Sequence, residues 1–267
     1  MQVVRPAEAF PAIGPAATPA VAVADLAKSF GERSVLAGVD LTIAQGESVA
    51  LIGANGTGKS TFLRCLIRLT EPDRGTIRML DDVVTDLGAA ELRRFRSKVG
   101  IVFQKHNLVP RLSALTNVVH GIQSRSAGPR TWLQALAPRE VREEAYACLA
   151  AVGLEDRALQ RVGSLSGGQS QKVAVARMLM QRPRLILADE PDASLDPKAG
   201  EDVMDLLLRV ARDKGLTLVT VSHRLEHAVR YSDRIIGFDA GRVALDTPSA
   251  AASVHELRSF FSDRTAA

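Results

Sequence analysis

The sequence predicts an α/β fold built on a mainly parallel sheet, and three observations carry that prediction. Short apolar runs alternate with stretches of helical periodicity along most of the chain. A glycine-rich turn, Gly-Ala-Asn-Gly-Thr-Gly-Lys-Ser-Thr (53–61), joins an apolar run to the start of a helical stripe. Between residues 105 and 182 the strand pattern gives way to helices before strands resume, which marks an inserted α-helical subdomain.

Taken in order, residues 1–20 are rich in alanine and proline, lack periodicity, and read as a flexible tail. Residues 21–52 alternate enough for N-terminal antiparallel strands around turns at Phe-Gly-Glu-Arg (30–33) and Ala-Gln-Gly-Glu (44–47). Ser-Val-Ala-Leu-Ile (48–52) is short and apolar, the pattern of a buried strand. Beyond the glycine turn, Phe62, Cys65, Leu66 and Leu69 form the apolar stripe of a helix. Val-Gly-Ile-Val-Phe-Gln (99–104) is a further apolar run. In the insertion, Pro138 opens a helix with Val141, Ala145, Cys148, Leu149 and Val152 on one face, and Gly153 stops it. A helix-compatible run covers Ser170 to Gln181. Strands resume at 185–188, 216–221 and 235–238. A helix at 201–213 separates the first two of these, with Val203, Leu206, Leu207 and Val210 on one face. The expected organisation is a tail (1–20), a core (21–104 and 183–250), the helical subdomain (105–182) and a C-terminal tail (251–267).

Hydrophobic residues make up 46% of the 267 and charged residues 24%, values of an ordinary globular protein. No run approaches the roughly 18 apolar residues of a membrane span. The N-terminus lacks the basic-then-apolar pattern of a signal peptide, so a cytosolic location is expected. Two cysteines, Cys65 and Cys148, fit a reducing compartment, and Cys65 reads as a small core residue. The net charge is +4, but no block of five or six basic residues occurs. The densest cluster, Arg93, Arg94, Arg96 and Lys98, reads as a solvated helix face. With aromatics at 4% and no stacking array, nucleic acid is not an expected partner. Modest attraction to an anionic bilayer surface is compatible with this balance.

The turn at 53–61 is a complete phosphate-binding loop. Gly53, Gly56 and Gly58 let the backbone turn tightly, so that amide groups of Ala54, Asn55, Thr57 and their neighbours through Thr61 face phosphate oxygens. Lys59 reaches the β- and γ-phosphates, and the Ser60 hydroxyl is placed to ligate Mg²⁺. Strand, loop and helix N-terminus together make an anion site. The run Leu-Ile-Leu-Ala (185–188) ends in two acids. Asp189 is placed to hold the Mg²⁺ shell and Glu190 to take a proton from an attacking water.

Leu-Ser-Gly-Gly-Gln (165–169) is a second helix N-terminus suited to an anion, comprising Ser166, Gly167, Gly168 and Gln169. Its own chain already has a phosphate loop. With this motif the sequence resembles the ATP-binding cassette (ABC) family over residues 21–250. The resemblance implies an ATP-hydrolysing cassette binding ATP and Mg²⁺. In that family the motif of one subunit closes over ATP held by the phosphate loop of the other, so a head-to-tail dimer, a homodimer in the simplest case, is implied. Phe30 matches the aromatic that stacks on adenine; a core aromatic is the alternative reading. Gln104 matches the glutamine that contacts Mg²⁺ and senses the membrane subunit. Ser194-Leu195-Asp196 matches the loop crossing the dimer interface, and His223 the switch histidine at the γ-phosphate. Asn55 is a variant of the family's loop. Ser170 and Lys172 stand where many relatives carry glutamine and arginine, which removes bidentate geometry at Lys172.

Two stretches, Gln104 to Val118 and Ala188 to Pro197, are similar to the ATPases of phosphonate importers, as is the segment containing Trp132. That resemblance implies a peripheral subunit at the cytoplasmic face of the inner membrane. Its partners would be integral membrane permease subunits and, indirectly, an extracytoplasmic solute-binding protein, with phosphonate, phosphite or a phosphate ester as cargo. Alternatives are another ABC importer or exporter, and a soluble cassette protein associated with the carbon–phosphorus lyase complex. The residues after Leu245 are too few for the regulatory domain of some importer ATPases. Leu108, Val109 and Leu112 either receive a cytoplasmic helix of the permease or pack on the subdomain's own core.

Overall fold

The computed structural model describes residues 19–104, 106–125 and 134–265; the expected N-terminal tail up to residue 18 and Trp132 lie outside them. Two long strands come first, β1 (Val21–Phe30) and β2 (Arg33–Ile43), followed by β3 (Ser48–Ile52) and α1 (Lys59–Leu66). Next are β4 (Arg74–Met79), β5 (Asp82–Val83), α2 (Ala89–Ser97) and β6 (Val99–Phe103). Among the described residues three α-helices lie between β6 and the next strand: α3 (Ala114–Val119), α4 (Arg139–Ala151) and α5 (Gly167–Leu179). The chain then continues through β7 (Leu185–Asp189), α6 (Pro197–Asp213), β8 (Thr217–Val221), α7 (Leu225–Tyr231), β9 (Arg234–Asp239), β10 (Arg242–Pro248) and α8 (Val254–Thr265).

The strands form two sheets. One is antiparallel, in the order β2-β1-β4-β5, and the other runs β10-β9-β3-β8-β7-β6. Strand β3 is parallel to β8 and β9, and β7 to β6 and β8; only β10 is antiparallel. All five residues of β3 and of β8 are buried, as expected for strands covered on both faces. The register brings Leu51 and Asp189 both opposite Val221, and Phe103 opposite Asp189. The loops leaving β3, β6, β7 and β8 therefore emerge side by side at the carboxyl edge of the sheet, where open α/β sheets bind ligands.

Helix α1 packs Phe62, Leu63, Cys65 and Leu66 onto this sheet, and Phe62 meets Phe238 of β9 at a ring-centroid distance of 5.3 Å. Burial pushes the Cys65 thiol up to about 11, as befits an unreactive core cysteine. The buried faces of α3, α4 and α5 join that of α6 in one apolar cluster including Leu115, Leu149, Val173 and Leu207.

Three expectations need correction. Leu69 is not on the helical stripe: α1 ends at Leu66 with Ile67 as its C-cap, and Leu69 is 53% exposed. The basic cluster on α2 is only partly solvated. Arg96 donates to the carbonyls of Ile67 and Arg68, and Lys98 pairs with Asp82. The C-terminal tail contains a helix, α8, whose Leu257 is buried against Ile52 and Ile235 in a cluster that Phe261 joins. Leu108 packs on the helical core while Val109 is exposed, so the trio with Leu112 is divided between the two readings. No helix among the described residues is long and apolar enough to cross a membrane.

Candidate active site

The phosphate loop leaves β3 at Gly53 and enters α1 at Lys59. Gly58 caps the helix in a left-handed conformation with φ +104°. The loop's shape depends on missing side chains. A Cβ at Gly53 (φ +143°) would press on the Phe238 carbonyl of β9, and one at Gly58 would lie 2.6 Å from the Val35 carbonyl. Thr57 Oγ1 donates to the Ala54 carbonyl at 2.9 Å. Lys59 is buried, and its Nζ donates to the carbonyls of Gly53 and Ala54 at 2.8 Å each. Burial lowers the Lys59 pKa, opposed by the carboxylates of Glu190 and Asp189.

Ser60 Oγ donates to Asp189 Oδ1 at 2.8 Å, which ties α1 to the end of β7. Burial raises the Asp189 pKa, and the Ser60 bond partly offsets this. Glu190 follows with φ +51°, a strained conformation for a residue with a Cβ. It is held by its amide donating to the Val221 carbonyl at 3.2 Å, and its Oε1 lies 2.6 Å from His223 Nε2.

Lys59, Ser60, Glu190 and His223 line a cavity of about 330 Å³, which Asp189 does not itself line. Its wall includes Asn55, Gly56, Gly58, Lys59, Ser60 and Thr61 on one side and Glu190 and His223 on the other. Phe30 lies at the rim, 54% exposed, with the Lys28 ammonium 5.4 Å from its ring centroid. Exposure rules out the core reading of Phe30. The cavity also has two residues that sequence reasoning missed, Arg33 and Val35 at the start of β2. Their only signal was proximity to the Phe30 turn. Gly53 and Ala54 face a neighbouring cavity of about 400 Å³ shared with Ser222, His223 and Arg258.

The remaining predicted residues do not line the cavity. Gln104 is exposed at the end of β6, one residue past the Phe103–Asp189 pairing. Ser166 caps α5 by accepting from the Gln169 amide, while Gln169 Oε1 accepts from the Ser166 amide, a reciprocal capping box. Asp196 caps α6 without that reciprocity, its carboxylate accepting from the Ala199 amide at 3.0 Å. The two caps are neighbours. A Cβ at Gly167 would lie 3.2 Å from Leu195, and one at Gly168 3.0 Å from Ala199. The site residues therefore form two clusters, one around the phosphate loop and one around the caps of α5 and α6.

The sequence profile described as "ABC transporter" matches residues 36–193. The chain belongs to the ABC transporter family. It is similar to the "Phosphonates import ATP-binding protein PhnC" of Treponema denticola, with 43% identity over 214 residues, 80% of this chain and 83% of that protein. It is 45% identical over 225 residues to the "Phosphate-import ATP-binding protein PhnC" of Mycolicibacterium smegmatis, 84% of this chain and 85% of that one. Among solved structures it is similar to the dimeric post-hydrolysis state of the ATP-binding cassette MJ0796 bound to ADP and Pi. That likeness has a TM-score of 0.74 and 37% identity, covering 86% of this chain and 98% of that one. As a member of the ABC family the chain is an ATP-binding, ATP-hydrolysing cassette.

Proposed function

We propose that this chain powers an ABC importer whose cargo is phosphonate, coupling ATP hydrolysis at a head-to-tail dimer interface to uptake. The observation that carries the hydrolytic role is the Glu190–His223 contact of 2.6 Å facing Lys59 across one cavity. Glu190 accepts the proton of a water aimed at the terminal phosphate, and His223, bonded to the same carboxylate, holds its orientation. The Lys59 ammonium exchanges two backbone carbonyls for phosphate oxygens.

The oxygens of Ser60 and Asp189, 2.8 Å apart, are hard donors from two elements and fit Mg²⁺, which takes few protein ligands. Ser60 and Asp189 would hold the ion, which would supply neutralisation of charge on the nucleotide's phosphates. Gln104, at the end of β6, is within the same row of loops and is assigned to sensing the permease.

A partner chain supplies what the cavity lacks. Ser166 to Gln169 and Asp196 cap helices away from their own phosphate loop, so their anion-facing ends serve a second copy's nucleotide. The dimeric state named for the similar cassette supports this. Permease subunits at the cytoplasmic face of the membrane are the remaining partners, and a solute-binding protein selects the cargo.

Phosphonate is favoured by the names of relatives at 41–44% identity, and phosphate by the Mycolicibacterium relative. The test is ATPase activity of the chain reconstituted with its permease and with binding protein loaded with methylphosphonate or phosphate. Stimulation by methylphosphonate is expected. Stimulation by phosphate alone would reassign the cargo. No association with membranes when the permease is present would remove the transport role.

A further inference from the structure

Two residues beyond Glu190, the side chain of Asp192 turns inward. It is 5% exposed, the one buried carboxylate among the described residues. His227, on the first turn of α7, is 7% exposed and places Nδ1 at 2.9 Å from Asp192 Oδ2. That contact is close but off the hydrogen-bond line, and Nδ1 has no other partner among the described residues. The His227 ring packs edge-on against Tyr231 at 5.4 Å, and Arg224 approaches the same carboxylate at 3.8 Å. From α6, Gly200 packs on Asp192: a Cβ there would lie 3.3 Å from Asp192 Cβ.

The two histidine–carboxylate contacts span the same two segments. Glu190 and Asp192 belong to the loop after β7; His223 and His227 belong to the loop after β8 and its helix. One contact faces the nucleotide cavity and the other is buried behind it. The loop after β7 also runs on to Asp196, in the cluster assigned to the dimer interface.

We propose that Asp192 and His227 are a positioning pair that sets the spacing between Glu190 and His223, and so links the interface loop to the hydrolytic carboxylate. Neither touches the nucleotide cavity, so they act through Glu190 and His223 rather than on phosphate. This inference rests on the hydrolytic role proposed for Glu190. The geometric demand is strict, because a misplacement of about 1 Å in a reacting group costs up to about 10²-fold in rate.

The test is steady-state ATPase kinetics and nucleotide binding of Asp192→Ala, His227→Phe and the double variant, with melting temperature recorded. His227→Phe keeps an aromatic ring against Tyr231 and removes both ring nitrogens. Each single change is expected to lower kcat by about tenfold or more with ATP affinity kept within about twofold, and the double variant to fall no further than the singles. His227→Asn, whose amide nitrogen stands near the place of Nδ1, should recover most of the rate. His227→Gln, whose amide reaches toward the place of Nε2, should not. That ordering decides the matter if His227→Phe fails to fold. Variants with lowered melting temperature but wild-type kcat, or equal rates for the Asn and Gln variants, would overturn the proposal. Glu190→Gln runs alongside. If it hydrolyses ATP normally, the catalytic reading fails and takes the positioning pair with it. If it is inactive while Asp192→Ala is normal, only the positioning pair is refuted.

Discussion

Replacing Gly53 by alanine probes how the phosphate loop is held. The added Cβ would press on the Phe238 carbonyl, and Thr57 Oγ1 would be 3.1 Å away. The carbonyl has little room to yield, because β9 pairs with β3 at Ile52–Gly237 and with β10 on its other side. Alanine at φ +143° carries a backbone cost of roughly 1–3 kcal/mol. Overpacking against a fixed atom adds roughly 1–3 kcal/mol. The sum, about 2–6 kcal/mol, is a large part of a typical total stability of about 5–15 kcal/mol. At about 2–4 °C per kcal/mol for a domain of this size, the melting temperature falls by roughly 4–24 °C. The loop can escape part of that strain by swinging away from β9, but this moves the amides that cradle phosphate and weakens ATP binding instead. Thermal unfolding and titration with a fluorescent nucleotide read the two outcomes. Gly46→Ala is the control: its φ is +76°, and nothing lies within 4 Å of an added Cβ. Equal behaviour of the two variants in both assays would refute the contact-based reasoning.

Four further outcomes are expected. Phe62→Ala empties a fully buried site against Phe238 and should cost about 3–5 kcal/mol in denaturant unfolding. Ser166→Ala removes the cap of α5 and should cost about 0.5–2 kcal/mol in the isolated chain; an ATPase loss far beyond that reports its role toward the partner's nucleotide. Arg177→Ala deletes bonds to the carbonyls of His106 and Asn107 at 3.0 and 2.6 Å, and should lower stability by about 1.5–3 kcal/mol per bond lost, seen as a lower melting temperature. Asp189→Asn should raise the melting temperature of the nucleotide-free protein while impairing Mg-dependent hydrolysis. Burial raises the Asp189 pKa, so the folded state binds its proton before the unfolded state does. Its contribution therefore makes stability increase as pH falls through that raised pKa toward the ordinary carboxylate value. The stability gap between the wild type and the Asp189→Asn variant should narrow in that direction, and a widening gap would contradict it.

The elements legible in the sequence were those with a strong local pattern. Strand β3 and the turn after it could be read because five buried residues run straight into a loop whose three glycines, Gly53, Gly56 and Gly58, all take positive φ. Helices α4 and α6 could be read from their apolar faces, and α4's end from Gly153. The phosphate loop, Glu190 and His223 could be placed because each follows an apolar strand of the same parallel sheet. Other features had no such pattern. Strand β10 is half-buried along most of its length and shows no alternation. Helix α8 is anchored chiefly by Leu257 and Phe261, one turn apart, too little to mark periodicity. Leu69 satisfied the spacing of a stripe that the backbone had already left. Arg33 and Val35 reach the cavity only because β2 folds back beside the phosphate loop, a tertiary fact without a local signature. Asp192 and His227 are 35 residues apart in sequence and meet only because β7 and β8 are neighbours.

The most direct test of the account is ATP turnover by Glu190→Gln beside measured ATP affinity. General-base assistance is worth about 10²–10⁴-fold, so the variant should bind Mg-ATP as the wild type does while kcat falls by that order. It should also accumulate as a dimer in light scattering, because closure over ATP is no longer relieved by hydrolysis. Near-normal turnover with ATP bound would remove Glu190 from the proton-transfer role and contradict the assignment of this site.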